Sequence, residues 1–403
     1  MHLSQLQQEM LDGKHGRATR KAMEILSTLG EIYGAERMVP VSSVQIAGVS
    51  YDNLGEAGLR FLSEMAAGGG RARVLTTLNP AGMDVENWEQ LGISPEFAAQ
   101  QQRVIEAFTR MGAVPTCSCT PYLTGNVPHF GEHIAWAESS AVCYANSILG
   151  ARTNREGGPS ALAAALSGFT PAYGLHQDEN RRPTVTVRVP QRLEGTVEFG
   201  ALGKAIGEQL ETLGKERLPY ITGMDLSQTA TSLENLKSFC ASIATYGGVA
   251  MFHLQGVTPE AALFTPPEQT ITISRSGLEA ALCEMSDATS AEVDFVSLGC
   301  PHLSITEIAR IAELLKGKQV KKTFWITTAR PTKQMADLAG YTQIIEASGA
   351  IFAVDTCCVV APIRGRFRAL ATDSAKACYY ATSKNQFKTL IRSFDEVVQE
   401  AVQ

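Results

Sequence analysis

Three of the nine cysteines stand where metal chemistry would place them. Cys119 follows the short run 113–116 and precedes Thr120, Pro121 and Tyr122. Cys300 closes the strand-like run 293–298 through Gly299 and is followed by Pro301 and His302, and Cys357 closes the run 351–356. Each is expected at the C-terminal end of a strand, the edge along which α/β folds gather their sites. Free backbone N–H groups and helix N-termini at that edge favour the thiolate, the form that binds metal. Three thiolates from distant loops suit an iron–sulfur cluster held at three corners, with the fourth iron open. An open iron acts as a Lewis acid on a hydroxyl or carboxylate, which is what a dehydration needs. Strand-end cysteines also occur as packing residues, so spacing alone leaves both readings open. Cys117 and Cys358 are immediate neighbours of the candidates. Cys143, Cys240, Cys283 and Cys378 sit in helical patterns and read as core. The absence of any CxxC pair gives no support to a zinc ribbon or a thioredoxin-type site.

Several polar stretches accompany the cysteines. Residues 48–53 (GVSYDN) follow a strand and open a helix, so backbone N–H groups and the Ser50 hydroxyl can hold an anion there. An ordinary N-cap by Asp52 or Asn53 fits the same residues. Asn79 and Pro80 end the next strand, in a pattern that also reads as a turn. Residues 130–140 read as an unusually polar helix, which needs internal partners or a ligand; Glu132, His133 and Glu138 are its acid–base candidates. Arg152 and Arg155, with the Gly-Gly-Pro-Ser entry at 157–160, read as an anion site or as a solvated loop with Pro in the first helical turn. Lys376, taken locally, reads as a solvated lysine. Neither GxGxxG after a strand nor GxxxxGK[ST] occurs, so nucleotide binding has no support.

The elements that must position these residues alternate along the chain. Strand-like runs at 41–48, 72–78, 184–189, 249–254, 293–298, 322–328 and 350–354 are separated by amphipathic runs at 54–67, 95–111, 202–213, 305–315 and 332–348. This alternation predicts an α/β protein of parallel or mixed sheets flanked by helices. Two helical stretches at 3–11 and 17–30 form an N-terminal cap. The Pro- and Arg-rich stretch 181–192 marks the expected division into 1–180, with the first cluster cysteine, and 181–403, with the other two. A net charge of −6 with scattered Lys and Arg argues against nucleic acid as a partner. The run 316–322 reads as a solvated helix end. No apolar stretch is long enough for a membrane span, and the N-terminus lacks the features of a signal peptide, so a cytoplasmic location is expected.

Taken together, GVSYDN (48–53), TTLNPAG (76–82), CTPY (119–122), GEHIAWAESSA (131–141), YANSILGARTNREGGPS (144–160), SLGCPH around Cys300 and DTCCVV around Cys357 resemble the large subunit of the aconitase X family. The resemblance runs over nearly the whole chain in the same order. It implies cluster ligands at Cys119, Cys300 and Cys357, with 4Fe-4S expected and 3Fe-4S or 2Fe-2S as isolated forms. It also implies substrate contacts at Gly48, Val49, Ser50, Asn79, Pro80, Asn146, Ser147 and Lys376. The implied fold is an aconitase-like multi-domain assembly lacking the swivelling domain; since the sequence ends at Gln403 after a helical run, a separate small subunit is expected to supply that domain in a heterodimer. Two substrates are implied: (R)-mevalonate 5-phosphate, dehydrated to trans-anhydromevalonate 5-phosphate in an archaeal-type mevalonate pathway, or cis-3-hydroxy-L-proline. The split architecture and the stretch 150–160 favour the phosphorylated hydroxy acid. The general base is expected from the small subunit, since no residue of this chain claims the role. The rival readings are a non-catalytic binding subunit of a heteromer and a zinc or mononuclear-iron hydro-lyase using Glu132 and His133.

Overall fold

Every strand pairing in the three larger sheets is parallel, as expected where a helix returns the chain between consecutive strands. The computed structural model describes residues 1–214, 217–224 and 232–403. Near the N-terminus, Leu75–Leu78, Ser43–Ile46 and Ala135–Trp136 form a three-stranded sheet in that order. A four-stranded sheet follows in the order His253–Leu254, Pro219–Thr222, Val185–Arg188, Thr270–Thr272. The last sheet has five strands: Ile351–Val354, Thr323–Thr328, Phe295–Leu298, Ala369–Thr372 and Lys388–Ile391. One antiparallel pair, Met38–Pro40 with Phe169–Pro171, closes the first region. Residues 181–403 therefore hold two sheets, each with its own apolar core.

The helices form where the apolar periodicity places them, and the differences have local causes. The cap helices are Gln5–Leu11 and Arg17–Ile32, the first closed by a capping box from Ser4 and Gln7. The amphipathic run 332–348 becomes two helices, Arg330–Leu338 and Tyr341–Ala347, because Gly340 takes φ +77° between them. The polar stretch 130–140 is not a helix. Its backbone is taken up by other partners: Ile134 N–H donates to the Arg152 carbonyl, Trp136 N–H to Thr153 Oγ1, and Ala137 N–H to the Gln45 carbonyl. The helix Ser139–Tyr144 begins only after Glu138 caps it. Residues 113–116 form a single bridge, Val114 to Thr77, rather than a strand. Among the helical cysteines, Cys143, Cys240 and Cys378 are buried as expected, whereas Cys283 is exposed on the outer face of Arg275–Glu284. Among the described residues no helix is long and apolar enough to cross a membrane.

Over the four-stranded sheet, Gly195–Thr212 and Leu233–Gly247 pack almost backbone to backbone. A Cβ on Gly203 would stand 2.7 Å from the Ile243 nitrogen, and one on Gly207 would stand 2.6 Å from the Gly247 nitrogen. Glycine is required at both positions by the approach of the neighbouring backbone, which cannot move aside as a flexible side chain would. This contact sets the height of Lys237 and Cys240 on the second helix. Replacing Gly207 by Ala should lower the unfolding free energy by about 1–3 kcal/mol, the usual range for overpacking. An unchanged urea midpoint would show that the two helices can separate without loss.

Candidate active site at a buried lysine and three cysteines

Two strand ends deliver Cys300 and Cys357, and the loop of Cys119 lies beside the end of a third strand. Phe295–Leu298 runs into Gly299, whose φ of +108° and closeness to Thr327 exclude any side chain, and then into Cys300. Ile351–Val354 runs into Asp355, Thr356 and Cys357. Leu75–Leu78 runs into Asn79 and Pro80, and its last carbonyl accepts the Ser118 N–H, which places Cys119 beside that strand end. Two of the three non-glycine residues with positive φ among the described residues, Cys117 (+41°) and Asp355 (+64°), lie two residues before Cys119 and Cys357. Such backbone is unfavourable by about 1–3 kcal/mol and persists only where surroundings hold it. At Asp355 the holder is Arg330, whose Nε lies 2.9 Å from the carboxylate, while Nη2 also reaches Asp84 at 2.9 Å. Burial pushes the Asp355 carboxyl up to about 6, against the pull of the Arg330 guanidinium.

Lys376 is buried, contrary to its local reading as a solvated lysine. It sits in the first turn of Ala375–Tyr380, a helix capped by Ser374, and its Nζ lies 2.5 Å from Glu138 Oε1. Glu138 in turn accepts from Ser140 Oγ at 2.5 Å and from the Ala141 N–H at 2.7 Å, so it caps one helix while pairing with the other. Burial opposes the charge on Lys376, but Glu138, Cys300 and Cys119 hold its ammonium above the ordinary lysine range. The same ammonium draws all three cysteines towards the thiolate.

Burial is the largest influence on these thiols and pushes all three up. Cys357 also raises Cys119 and Cys300 electrostatically, which marks the three as one group. The opposing pulls are local. Cys119 accepts the His302 N–H at 3.2 Å, Cys300 is helped by the Ser374 hydroxyl, and Cys357 by the Val359 and Val360 N–H groups and by Lys384. Of their neighbours, Cys117 answers to Asp355 and Arg330, whereas Cys358 is raised by Cys357 and itself raises Cys300, with Ser297 and Cys378 as its other partners. Cys300 is the least buried of the three and lines a small recess with Thr196, Lys237, Asp373 and Ser374.

Among the described residues no three His, Cys, Asp or Glu side chains close on a single-ion geometry. The three cysteines come instead from separate loops around one ammonium. A donor set of thiols alone, sheltered from water beside one buried ammonium, fits an iron–sulfur cluster held at three corners. Two buried oxygens in the same loops, Asn79 Oδ1 and Thr356 Oγ1, have no partner among the described residues, as expected of groups that complete their bonding on a ligand.

The residues expected to contact substrate fall into two sets. Gly48 (φ +76°), Val49 and Ser50 present successive N–H groups that meet no protein acceptor among the described residues, at the entrance to the helix Tyr51–Ala67. Ser50 donates its hydroxyl to the Val360 carbonyl at 3.1 Å and so ties this loop to that of Cys357. Asp52 does not cap the helix but pairs with Lys384 at 3.0 Å. Pro80 is buried and Asn79 half-buried beside them. Asn146 and Ser147 form the other set, on the π turn Ala145–Leu149. The Asn146 amide is fully engaged inside the protein, with the Thr153 and Ala250 carbonyls, the Thr153 N–H and Arg181. Ser147 Oγ accepts the Phe252 N–H at 2.9 Å.

Two polar stretches serve other purposes. Arg152 is ion-paired with Asp178, Arg155 is exposed, and the helix entry at 157–160 is closed by Glu156, which accepts from Ser160 Oγ at 2.6 Å and from Thr170 Oγ1 at 3.1 Å. That stretch is a wall rather than an open anion site: Gly158 packs under the Ala47 carbonyl, beside Gly48. Glu132 accepts from the His129 N–H and Ser42, while the His133 ring faces His176 with Nδ1 atoms 2.9 Å apart. Both histidines line a surface cleft of about 420 Å³ with Arg37, Arg152 and Asp178, which includes none of the three cysteines. Sequence reasoning missed the Glu138–Lys376 pair, the Arg330 brace and His302. Only the nearness of His302 to Cys300 in the chain hinted at any of them.

Models of the aconitase X first, second and third domains match residues 1–179, 183–283 and 293–403. The phosphomevalonate dehydratase large subunit of Methanothermobacter thermautotrophicus is 46% identical over 383 residues, covering 94% of each chain. That of Methanocaldococcus jannaschii is 42% identical, covering 99% of this chain and all of the relative. The crystal structure of Thermococcus kodakaraensis aconitase X in its holo form superposes with a TM-score of 0.91 at 43% identity, covering 100% of both chains. A cis-3-hydroxy-L-proline dehydratase of Pseudomonas aeruginosa matches at 35% identity over 94% of this chain and 66% of its own.

Two consequences are measurable. Glu138→Gln leaves the Lys376 ammonium buried without its counter-charge and should cost about 3–5 kcal/mol of stability, much of it regained in Glu138→Gln/Lys376→Met. Additive losses in that double variant would show that the two side chains do not act as a pair. His176 is held down to about 3 by burial, by His133 and by Arg181 and Arg152, against an ordinary value of 6.5. Between those values the unfolded chain binds more protons, so the His176 contribution to stability falls as pH drops from 6.5 towards 3 and is constant above 6.5. His176→Gln should flatten the stability profile in that window; an unchanged slope would contradict the assignment.

Proposed function

The chain belongs to the aconitase X family, and from that premise we propose that it is the catalytic large subunit of a phosphomevalonate dehydratase. Its reaction is the removal of water from (R)-mevalonate 5-phosphate to give trans-anhydromevalonate 5-phosphate, a step of an isoprenoid-forming mevalonate pathway. The observation that carries this reading is the grouping of Cys119, Cys300 and Cys357 around the buried Lys376 ammonium. Near-full-length identity to large subunits with that activity supports the choice of substrate.

In this reading the three cysteines hold an iron–sulfur cluster, 4Fe-4S in its complete form, with 3Fe-4S or 2Fe-2S as forms met on isolation. Bound there, the cluster supplies a Lewis-acidic iron for the departing hydroxyl. The chain's own residues do the rest of the positioning. The N–H groups of Gly48, Val49 and Ser50 receive one anionic end of the substrate, where a helix entrance favours negative charge. Asn79 offers its unpartnered amide oxygen beside that loop, and Pro80 shapes the wall. Lys376, fixed by Glu138, supplies positive charge where negative charge develops, and burial excludes bulk water from the pair. Asn146 and Ser147 act by fixing the π turn that follows the helix capped by Glu138. The proton on the carbon next to the carboxylate goes to a base contributed by a small, swivelling-domain subunit, which completes the site in a heterodimer. Nine unpaired cysteines suit a reducing cytoplasm.

The test uses large and small subunits purified together without oxygen and offered mevalonate 5-phosphate and cis-3-hydroxy-L-proline separately, with products followed by NMR. Turnover of the phosphorylated acid alone is expected. Turnover of the hydroxyproline alone would keep the dehydratase and overturn the substrate.

A further inference from the structure

We propose that His302 is the positioning residue that holds the three cysteine loops in register for the cluster; this rests on the iron–sulfur reading above. The ring is fully buried, and this one residue touches the loop of every candidate ligand. It lies two residues after Cys300. Its backbone N–H donates to Cys119 Sγ at 3.2 Å. Its ring Nε2 lies 2.9 Å from the carbonyl oxygen of Thr356, the residue before Cys357. Its Nδ1 lies 3.3 Å from the hydroxyl of Ser118, the residue before Cys119.

The partners decide which nitrogen carries the proton. A carbonyl oxygen can only accept, so Nε2 bears the hydrogen and Nδ1 is the acceptor for the Ser118 hydroxyl. Ser118 Oγ in turn accepts the Thr120 N–H at 3.1 Å and, with the Thr120 hydroxyl at 3.1 Å donating to its second lone pair, keeps its own hydrogen for the ring. The other side of His302 is anchored as well: its carbonyl accepts from Lys237 Nζ at 3.0 Å, and Lys237 is paired with Glu307 at 2.5 Å. Strands Phe295–Leu298 and Ile351–Val354 are not hydrogen-bonded neighbours, since Thr323–Thr328 lies between them. Beyond the strand ends, the imidazole spans that gap in place of a ladder. A side chain with a donor and an acceptor on opposite edges of a rigid ring can make such a bridge; an aliphatic one cannot.

The measurement compares wild type, His302→Leu and His302→Gln, each with its small subunit and reconstituted without oxygen. Iron and acid-labile sulfide per chain, the EPR spectrum and the rate of iron loss to a chelator are read, alongside circular dichroism and the unfolding midpoint of the cluster-free protein. Iron loss from His302→Leu should be about 10-fold faster or more, the usual cost of removing an outer partner of a metal site. His302→Gln, which keeps a donor for Thr356, should recover part of the difference. His302→Leu with wild-type iron, sulfide, spectrum and loss rate would overturn the inference. If His302→Leu does not fold, Ser118→Ala removes only the Nδ1 partner, and an unchanged iron-loss rate in that variant overturns it equally. Wild type that never takes up sulfide would overturn the cluster reading and this inference together, whereas a loaded wild type matched by its variants overturns this inference alone.

Discussion

A buried ion pair between Lys376 and Glu138 is the constraint on which the rest of the site depends. Two charges removed from water are costly unless each is matched and further hydrogen-bonded. Here the carboxylate is matched three times, by the ammonium, by the Ser140 hydroxyl and by a backbone N–H. The pair joins residues 238 positions apart, so the first region and the last sheet cannot shift independently without separating the charges. It also places a fixed positive charge among three thiols, partly offsetting the rise that burial imposes on them. The helices that carry the two partners have the same form: each runs six residues and continues into a five-residue π turn. Such turns are uncommon and concentrate at functional sites, where they redirect side chains that a regular helix would point elsewhere.

Around that pair, the surroundings maintain a geometry that the local chain would not choose. Asp355 is held at positive φ by Arg330, which also reaches Asp84 and Glu86 from the first region. The loop of Cys357 is tied to the loop 48–52 by Ser50 and by Lys384, which bonds both Asp52 and the Val359 carbonyl. The loops of Cys119 and Cys300 meet at His302. The cysteine positions are thus set by cross-links between regions rather than by any one strand.

The parts of the site that sequence reading reached are those carried by contiguous residues. The glycine-led loop 48–50 and the strand-end positions of Cys300 and Cys357 follow from local pattern, since a strand must end before a helix begins. What it misjudged depended on distant partners. Residues 130–140 carry helix-compatible composition, yet their backbone bonds go to Gln45, Arg152 and Thr153. The stretch 152–160 has the composition of an anion site, yet Arg152 is already paired with Asp178, Arg155 is exposed, and Glu156 closes the helix entry. Cys283 shares a helical pattern with three buried cysteines and is nonetheless exposed, because which face of Arg275–Glu284 turns inward is set by the helix Gly195–Thr212 against which it packs.

By itself the sequence determined the α/β class, the strand runs it singled out, and the family, because periodicity and long motifs are properties of neighbouring residues; it did not single out Ala369–Thr372 and Lys388–Ile391, two strands of the last sheet. Only the tertiary structure decided that Lys376 is buried and paired, that Arg330 braces the Cys357 loop, and that His302 reaches all three cysteine loops. The physical reason is range. Burial and ion pairing depend on which groups lie within a few ångströms in space, and here those groups are separated by scores to hundreds of residues along the chain.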